Sequence, residues 1–289
     1  MHKHSWNDHL FGGVITCILI LCGIIAVVPL LSVLALSFSS KVAVNTNSVT
    51  LWPVGFTLDS WSAIVSRPDM WRATLVTIVT TVVGTFLSLC ITSLLAYPLS
   101  KKEFGLQKII MVMVVITMIF KAPTVPYFLT LRSIGLYNSP WAMVLPHILT
   151  AYNMIVMRTF FLGFPREVEE SATLDGCGPF RTLVRIVLPS SKAVLAVIGL
   201  FYAVTIWNQY QHPLYFISDM KLYPLQMKVR QFVTESSELQ TIAAKKAVNY
   251  TERSLKAVVV VFAILPIMMV YPKLQKYFEK GAMLGSVKG

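Results

Sequence analysis

Charge is what this chain has least of. Charged residues make up only 13% of its 289 positions, while 55% are hydrophobic. A soluble globular chain carries about 25% charged residues, so this one lacks the polar surface to cover itself in water. A mean hydropathy of +0.67 agrees, and the excess apolar surface calls for lipid as solvent. Acidic residues are scarcer still, 13 against 25 Lys and Arg, for a net charge of +12. In a membrane chain such an excess serves orientation and anionic headgroups rather than nucleic acid. The four cysteines, Cys17, Cys22, Cys90 and Cys177, have no metal-ligand spacing, and the expectation is inert, buried thiols. Gly- or Ser-rich linkers, low-complexity tracts and fixed-period repeats are missing. So is the G-x-x-x-x-G-K-[ST] phosphate loop: the nearest string, Gly285-Ser-Val-Lys-Gly289, has the wrong spacing. ATP therefore has no phosphate-loop cradle in this sequence.

What the sequence does have is apolar length. A bilayer core needs about 20 apolar residues in a helix, because each backbone polar group must be satisfied within the segment. Six segments meet that demand: 11–38, 73–99, 109–131, 141–161, 193–217 and 255–277. The expected fold is thus an all-α membrane protein. The first segment is too long for a cleavable signal peptide and reads as an uncleaved span. Lys121, Pro123 and Pro126 predict a break near the end of the third segment, and Pro146 and Pro213 interrupt the fourth and fifth. Six spans place both termini on one side. Basic residues divide almost evenly between the two sides, with the Lys101–Lys102 pair and the basic tail favouring cytoplasmic termini. Two long segments, 39–72 and 219–254, are poor in Gly and Ser and read as ordered external elements.

The loop between segments four and five is the most informative stretch. Pro165 suits a first helical position, Glu167, Glu169 and Glu170 crowd the first turns where the helix dipole favours negative charge, and Gly176 is suited to stop the helix at positive φ. A second short helix is expected from Pro179 to Val187, ending before Pro189. Phe180, Leu183, Val184 and Val187 share one face of it, and Arg181 and Arg185 share another.

The same loop resembles the cytoplasmic signature of ATP-binding-cassette (ABC) importer permeases, Glu-Ala-Ala-x3-Gly-x9-Ile-x-Leu-Pro. Here it reads Glu170-Ser171-Ala172, Gly176, Ile186, Leu188 and Pro189, with Ser171 as the one departure. The resemblance implies a type I importer permease fold: a cytoplasmic N-terminus 1–10, a permease domain 11–289 with its coupling loop 163–189, and a cytoplasmic tail 278–289. It implies that Glu170, Ser171, Ala172, Asp175, Gly176, Ile186, Leu188 and Pro189 couple this subunit to ATPase partners. The tail Gln275–Gly289 and the cluster Trp207-Asn208-Gln209-Tyr210 resemble the maltose-type carbohydrate permeases. In overall pattern the chain is most similar to permeases for fragments of uronic-acid-containing polysaccharides.

Several expectations follow from the resemblance. The subunit is non-catalytic and holds no cofactor or metal of its own, ATP and Mg being bound by partner subunits. The implied partners are a second permease subunit, a paralogue, with two cytoplasmic ATPase subunits, an external solute-binding protein and the lipid of a bacterial inner membrane. From the residues themselves, a sugar pathway needs aromatic faces and planar polar groups, and Tyr152, Asn153, Tyr202, Trp207, Asn208, Gln209 and Tyr210 supply them. Helix–helix hydrogen bonding is the competing reading for the same residues. His147 and His212 have no carboxylate in either segment to partner them, which argues against a proton relay or metal site. Lys121 has three readings: a contact for an acidic sugar, a partner for a backbone carbonyl and, ranked first, the external end of a helix. An ion-coupled secondary transporter is the alternative function. It calls for intramembrane carboxylates, and the six segments contain essentially none.

Overall fold

A computed structural model describes residues 6–234 and 249–286, with side chains described from 11 to 234 and from 249 to 269. All regular structure among the described residues is helical. The helices are α1 (Trp6–Ser37), α2 (Lys41–Asn45), α3 (Asp59–Val65), α4 (Pro68–Leu99), α5 (Gln107–Ile119), α6 (Thr124–Ser133) and α7 (Ala151–Leu162). They continue with α8 (Arg166–Leu174), α9 (Pro179–Ser190), α10 (Lys192–Trp207), α11 (Gln211–Phe216), α12 (Leu225–Thr234) and α13 (Glu252–Ser286).

Proline explains where these helices depart from six unbroken spans. Phe11–Ser37 and Pro68–Leu99 are each long and apolar enough to cross a membrane, and α9 with α10 passes that test only as a pair bent by 87°. The third segment breaks between Ile119 and Thr124, at Lys121 and Pro123, as its prolines predict. The fourth is helical only from Ala151; ahead of it lie two 3-10 turns, Pro140–Met143 and Leu145–His147. The fifth stops at Trp207 and resumes at Gln211. Pro213 donates no N–H to the carbonyl of Gln209 and its ring crowds that carbonyl, so the break precedes the proline. The second loop helix also differs from expectation, running past Pro189 to Ser190. It does so through a π turn, Leu183–Val187, closed by the Leu188 N–H on the Leu183 carbonyl. The wider turn eases the clash that Pro189 makes with a carbonyl four residues back.

The chain forms two compact units. The first comprises residues 1–70 and 229–265. In it residues 39–70 of the first long segment carry two helices, α2 and α3, and the start of α4. Phe38 stacks on Phe56 and Trp61 at 5.6 and 5.4 Å between centroids. Ser60 donates to Ser254 at 3.0 Å, and Arg67 grips Asp69 through two bonds of 3.0 and 2.9 Å while lying 5.1 Å from the Phe232 ring. The expectation for 219–254 falls partly outside the described residues, as do the side chains of the tail.

The second unit, 71–228 and 266–289, carries the loop. Its core joins Ala96, Tyr97 and Leu99 of α4 to Met154, Met157 and Phe161 of α7, Leu183 and Val187 of α9, and Ile198 and Tyr202 of α10. Small residues let α4 and α10 approach closely: a Cβ on Gly84 would lie 2.7 Å from Ile206, and one on Gly199 3.2 Å from Leu89. The thiols differ from expectation. Cys17, Cys22 and Cys90 are exposed on this chain, among exposed large apolar side chains of α1 and α4.

Candidate functional site: the α8 loop

The α8 helix is short, and both of its ends are set by sequence. Pro165 stands one residue before the helix rather than within it, at φ −57°, ψ 124°. Glu167 and Glu169 occupy the first turn, where the exposed backbone N–H groups favour negative charge. At the other end Gly176 takes φ +78°. The Gly176 N–H bonds to the Thr173 carbonyl at 3.0 Å and the Cys177 N–H to the Ala172 carbonyl at 2.9 Å. That pair of bonds is a Schellman turn, which satisfies two of the orphan carbonyls and redirects the chain into α9.

The residues of the motif divide by exposure. Ala172 is buried against the rest of the unit, whereas Glu170, Ser171, Asp175, Gly176 and Pro189 face outward and Ile186 and Leu188 are half-buried. The Ser171 hydroxyl donates to the Glu167 carbonyl at 2.9 Å, so the departure from Ala is accommodated within the helix. The apolar face expected on α9 is split: Leu183 and Val187 are buried, but Phe180 is 68% and Val184 44% exposed. Leu174, at 88%, is the most exposed large apolar side chain of the loop. Sequence reasoning passed over Leu174 because the signature fixes small and turn-forming positions, not the apolar residue beside them. A cleft of about 720 Å³ runs under α8, lined by Tyr97, Lys101, Phe161, Arg166, Glu169 and Leu174 among others.

The pathway candidates do not converge. Tyr202 is fully buried; its hydroxyl shares a 2.7 Å hydrogen bond with Thr92 and accepts from the Thr150 N–H at 3.2 Å. Asn153 is buried too, and Gln209 donates to the Met143 carbonyl at 2.9 Å. Trp207 lines a cavity of about 640 Å³ with Ile78, Val82, Phe86, Leu200 and Val204. Its wall is almost wholly carbon, the wrong chemistry for sugar hydroxyls. Tyr152, Asn208 and Tyr210 are exposed. Asn208 caps α10 through the Val204 carbonyl at 3.0 Å and accepts from Gln226 at 3.4 Å.

The two histidines, far apart in sequence, meet. His147 Nε2 lies 3.1 Å from His212 Nδ1, and His212 Nε2 lies 2.9 Å from the Tyr127 hydroxyl. The chain of bonds ties α6, the turn at His147 and α11 together at the breaks in three segments. Lys121 is exposed within the break between α5 and α6. Among the described residues no cluster of three or more His, Cys, Asp or Glu is placed to hold a metal.

The α8 loop, with its left-handed glycine and the spacing from Glu170 to Pro189, lies between apolar helices, and its resemblance to the permease signature is matched by the comparisons with known proteins. Residues 1–283 match the family model described as binding-protein-dependent transport system inner membrane component, and the chain belongs to that family. It is a permease component of the ABC class. The polygalacturonan/rhamnogalacturonan transport system permease protein YtcP of Bacillus subtilis (strain 168) is 38% identical over 285 residues, covering 98% of this chain and all of that one. Protein LplC of the same organism is 41% identical over 269 residues, 92% of this chain and 91% of that one. Among solved structures, a chain of a bacterial ABC transporter involved in the import of the acidic polysaccharide alginate superposes with a TM-score of 0.88. The identity is 27%, covering 96% of this chain and 100% of that one.

Proposed function

We propose that this chain is one of two permease subunits of an ATP-driven bacterial importer for acidic oligosaccharides, and that α8 is its coupling helix. In this reading the six segments are six spans, both termini and the α8 loop lie in the cytoplasm, and α8 docks on an ATPase subunit. A paralogous permease, two ATPase subunits and an external solute-binding protein complete the assembly. Closure of the ATPases on ATP draws the coupling helices together and opens the cavity outward; hydrolysis resets it. This is alternating access, in which the subunit contributes shape change and no covalent chemistry.

The observation that carries the reading is the Schellman turn at Gly176, which ends a short helix whose free side offers Leu174, Glu170 and Asp175 to a partner. An apolar side chain this exposed, rimmed by charge, suits a docking anchor better than an aqueous surface. The lean to acidic sugars rests on the polygalacturonan/rhamnogalacturonan and alginate systems among the similar proteins. Of the pathway residues, Tyr152, Asn208 and Tyr210 are accessible to a passing sugar, while Tyr202, Asn153 and Gln209 act by packing.

The test is ATP-driven uptake in proteoliposomes holding the four membrane-bound subunits, with the binding protein added outside. Radiolabelled trigalacturonate should accumulate and maltotriose should not. Equal uptake of both would remove the acidic specificity; uptake of trigalacturonate without ATP would remove the coupling.

A further inference from the structure

The C-terminal end of α4 is held from three sides. The Leu99 carbonyl, which has no partner further along the helix, accepts from Arg158 Nε of α7 at 2.7 Å and from Gln107 Nε2 of α5 at 2.8 Å. Two residues on, Lys101 forms an ion pair with Glu169 of α8. The Lys101 ammonium also lies 4.7 Å from the centre of the Tyr97 ring, and Tyr97 packs edge-on against Phe161 of α7 at 6.0 Å. The side chains of Lys101 and Glu169 are only 27% and 15% exposed. Such shielding strengthens the attraction, and it makes loss of one partner costly because the other charge is left uncompensated.

We propose that Lys101 and Glu169 are positioning residues that lock α8 to the end of α4, so that a push on α8 moves the long helix with it. This rests on the coupling role assigned to α8 above. Glu169 precedes the signature and is not one of its fixed positions. It points the opposite way from the docking side: Glu170 and Leu174 face out, Glu169 and Ala172 face in. The neighbouring glutamates thus divide the work, one offered to the partner and one holding the lever to its shaft. The shaft has 32 residues, about 48 Å at 1.5 Å per residue, long enough to carry a displacement through the bilayer. Without the ion pair, α8 keeps its own turn at Gly176 and its buried Ala172, but its charged tie to the end of α4 is lost. It is then free to yield under load.

Distance measurement between spin labels tests the lock. Lys102→Cys and Glu167→Cys place labels on exposed sites at the α4 end and on α8, in a background with Cys17, Cys22, Cys90 and Cys177 replaced by serine. In the assembled importer a single narrow distance should persist, unchanged between the nucleotide-free and ATP–vanadate states. E169Q should broaden it, and the swap K101E with E169K should narrow it again. Uptake per ATP hydrolysed should fall at least about fivefold in E169Q, the size expected for losing about 1 kcal/mol of coupling, and recover in the swap. A parent distance that shifts between the two states, or an E169Q distribution as narrow as the parent's, overturns the proposal. If the ATPase subunits fail to bind the chain, the coupling reading falls alone, because the width of the distribution in the permease itself still decides the lock.

Discussion

Gly176 separates two costs that usually arrive together. Its φ of +78° penalises any L-residue by about 1–2 kcal/mol. Yet a Cβ there would meet nothing within 4 Å, so a methyl group adds no clash inside this chain. Gly176→Ala therefore measures the backbone penalty, and whatever Gly176→Trp loses beyond it measures the nearness of a partner. In the assembled importer Gly176→Ala should retain partial uptake, whereas Gly176→Trp should hydrolyse ATP with uptake lowered more than tenfold. Equal uptake in the two variants would mean that nothing docks at this turn. Leu174 makes a second residue-scale case. Truncation of a well-packed apolar anchor costs about 1–2 kcal/mol or more, so Leu174→Ala should weaken retention of the ATPase subunits about tenfold in pull-down while leaving the thermal stability of the free permease unchanged. At this scale the sequence was informative where chemistry is local: a glycine after a helix rich in early glutamates points to its own turn. It was silent on Leu174, because exposure is set by how α8 lies on its neighbours and not by any spacing.

Among the elements, the broken segments are held by polar contacts that no periodicity announces. His212 on α11 receives His147 from the turn before α7 and Tyr127 from α6, and its ring stacks on Phe216. The prolines that interrupt these segments were legible and predicted the breaks. The meeting of residues 65 and 85 positions apart was not, since it depends on how three interrupted segments pack. The sequence places no carboxylate in the segment of either histidine, yet each imidazole serves as the other's partner. Net hydrogen bonds contribute about 0.5–1.5 kcal/mol each. His212→Phe, which keeps a ring for Phe216 and removes both bonds, should therefore lower unfolding free energy by about 1–3 kcal/mol in lipid nanodiscs. Tyr127→Phe, which removes one of the two bonds, should cost about half as much alone and nothing further in the His212→Phe background. Additive losses in that double-mutant cycle would show that the two residues do not interact.

For the whole molecule, the scarcity of acidic residues becomes a statement about energy source. A secondary transporter needs titratable or ion-binding carboxylates at membrane depth. Here Asp59 and Asp69 lie in the first turns of their helices and Asp175 caps the end of α8, while Glu103 and Asp219 lie outside the helices. Asp69 is moreover engaged by Arg67. The histidine pair offers an imidazole but no counter-charge that would draw a proton through, and the chain has no phosphate loop with which to use ATP directly. On the proposed function the driving force enters from another polypeptide, and the α8 loop is the surface that receives it. Uptake by energised vesicles separates the two sources of energy. Collapsing the proton gradient with an uncoupler while ATP is held constant should leave trigalacturonate uptake within about twofold of its starting rate. Depleting ATP while an imposed gradient persists should abolish it. The reverse pattern would return the molecule to the ion-coupled class, and the α8 turn would then be a loop without a load.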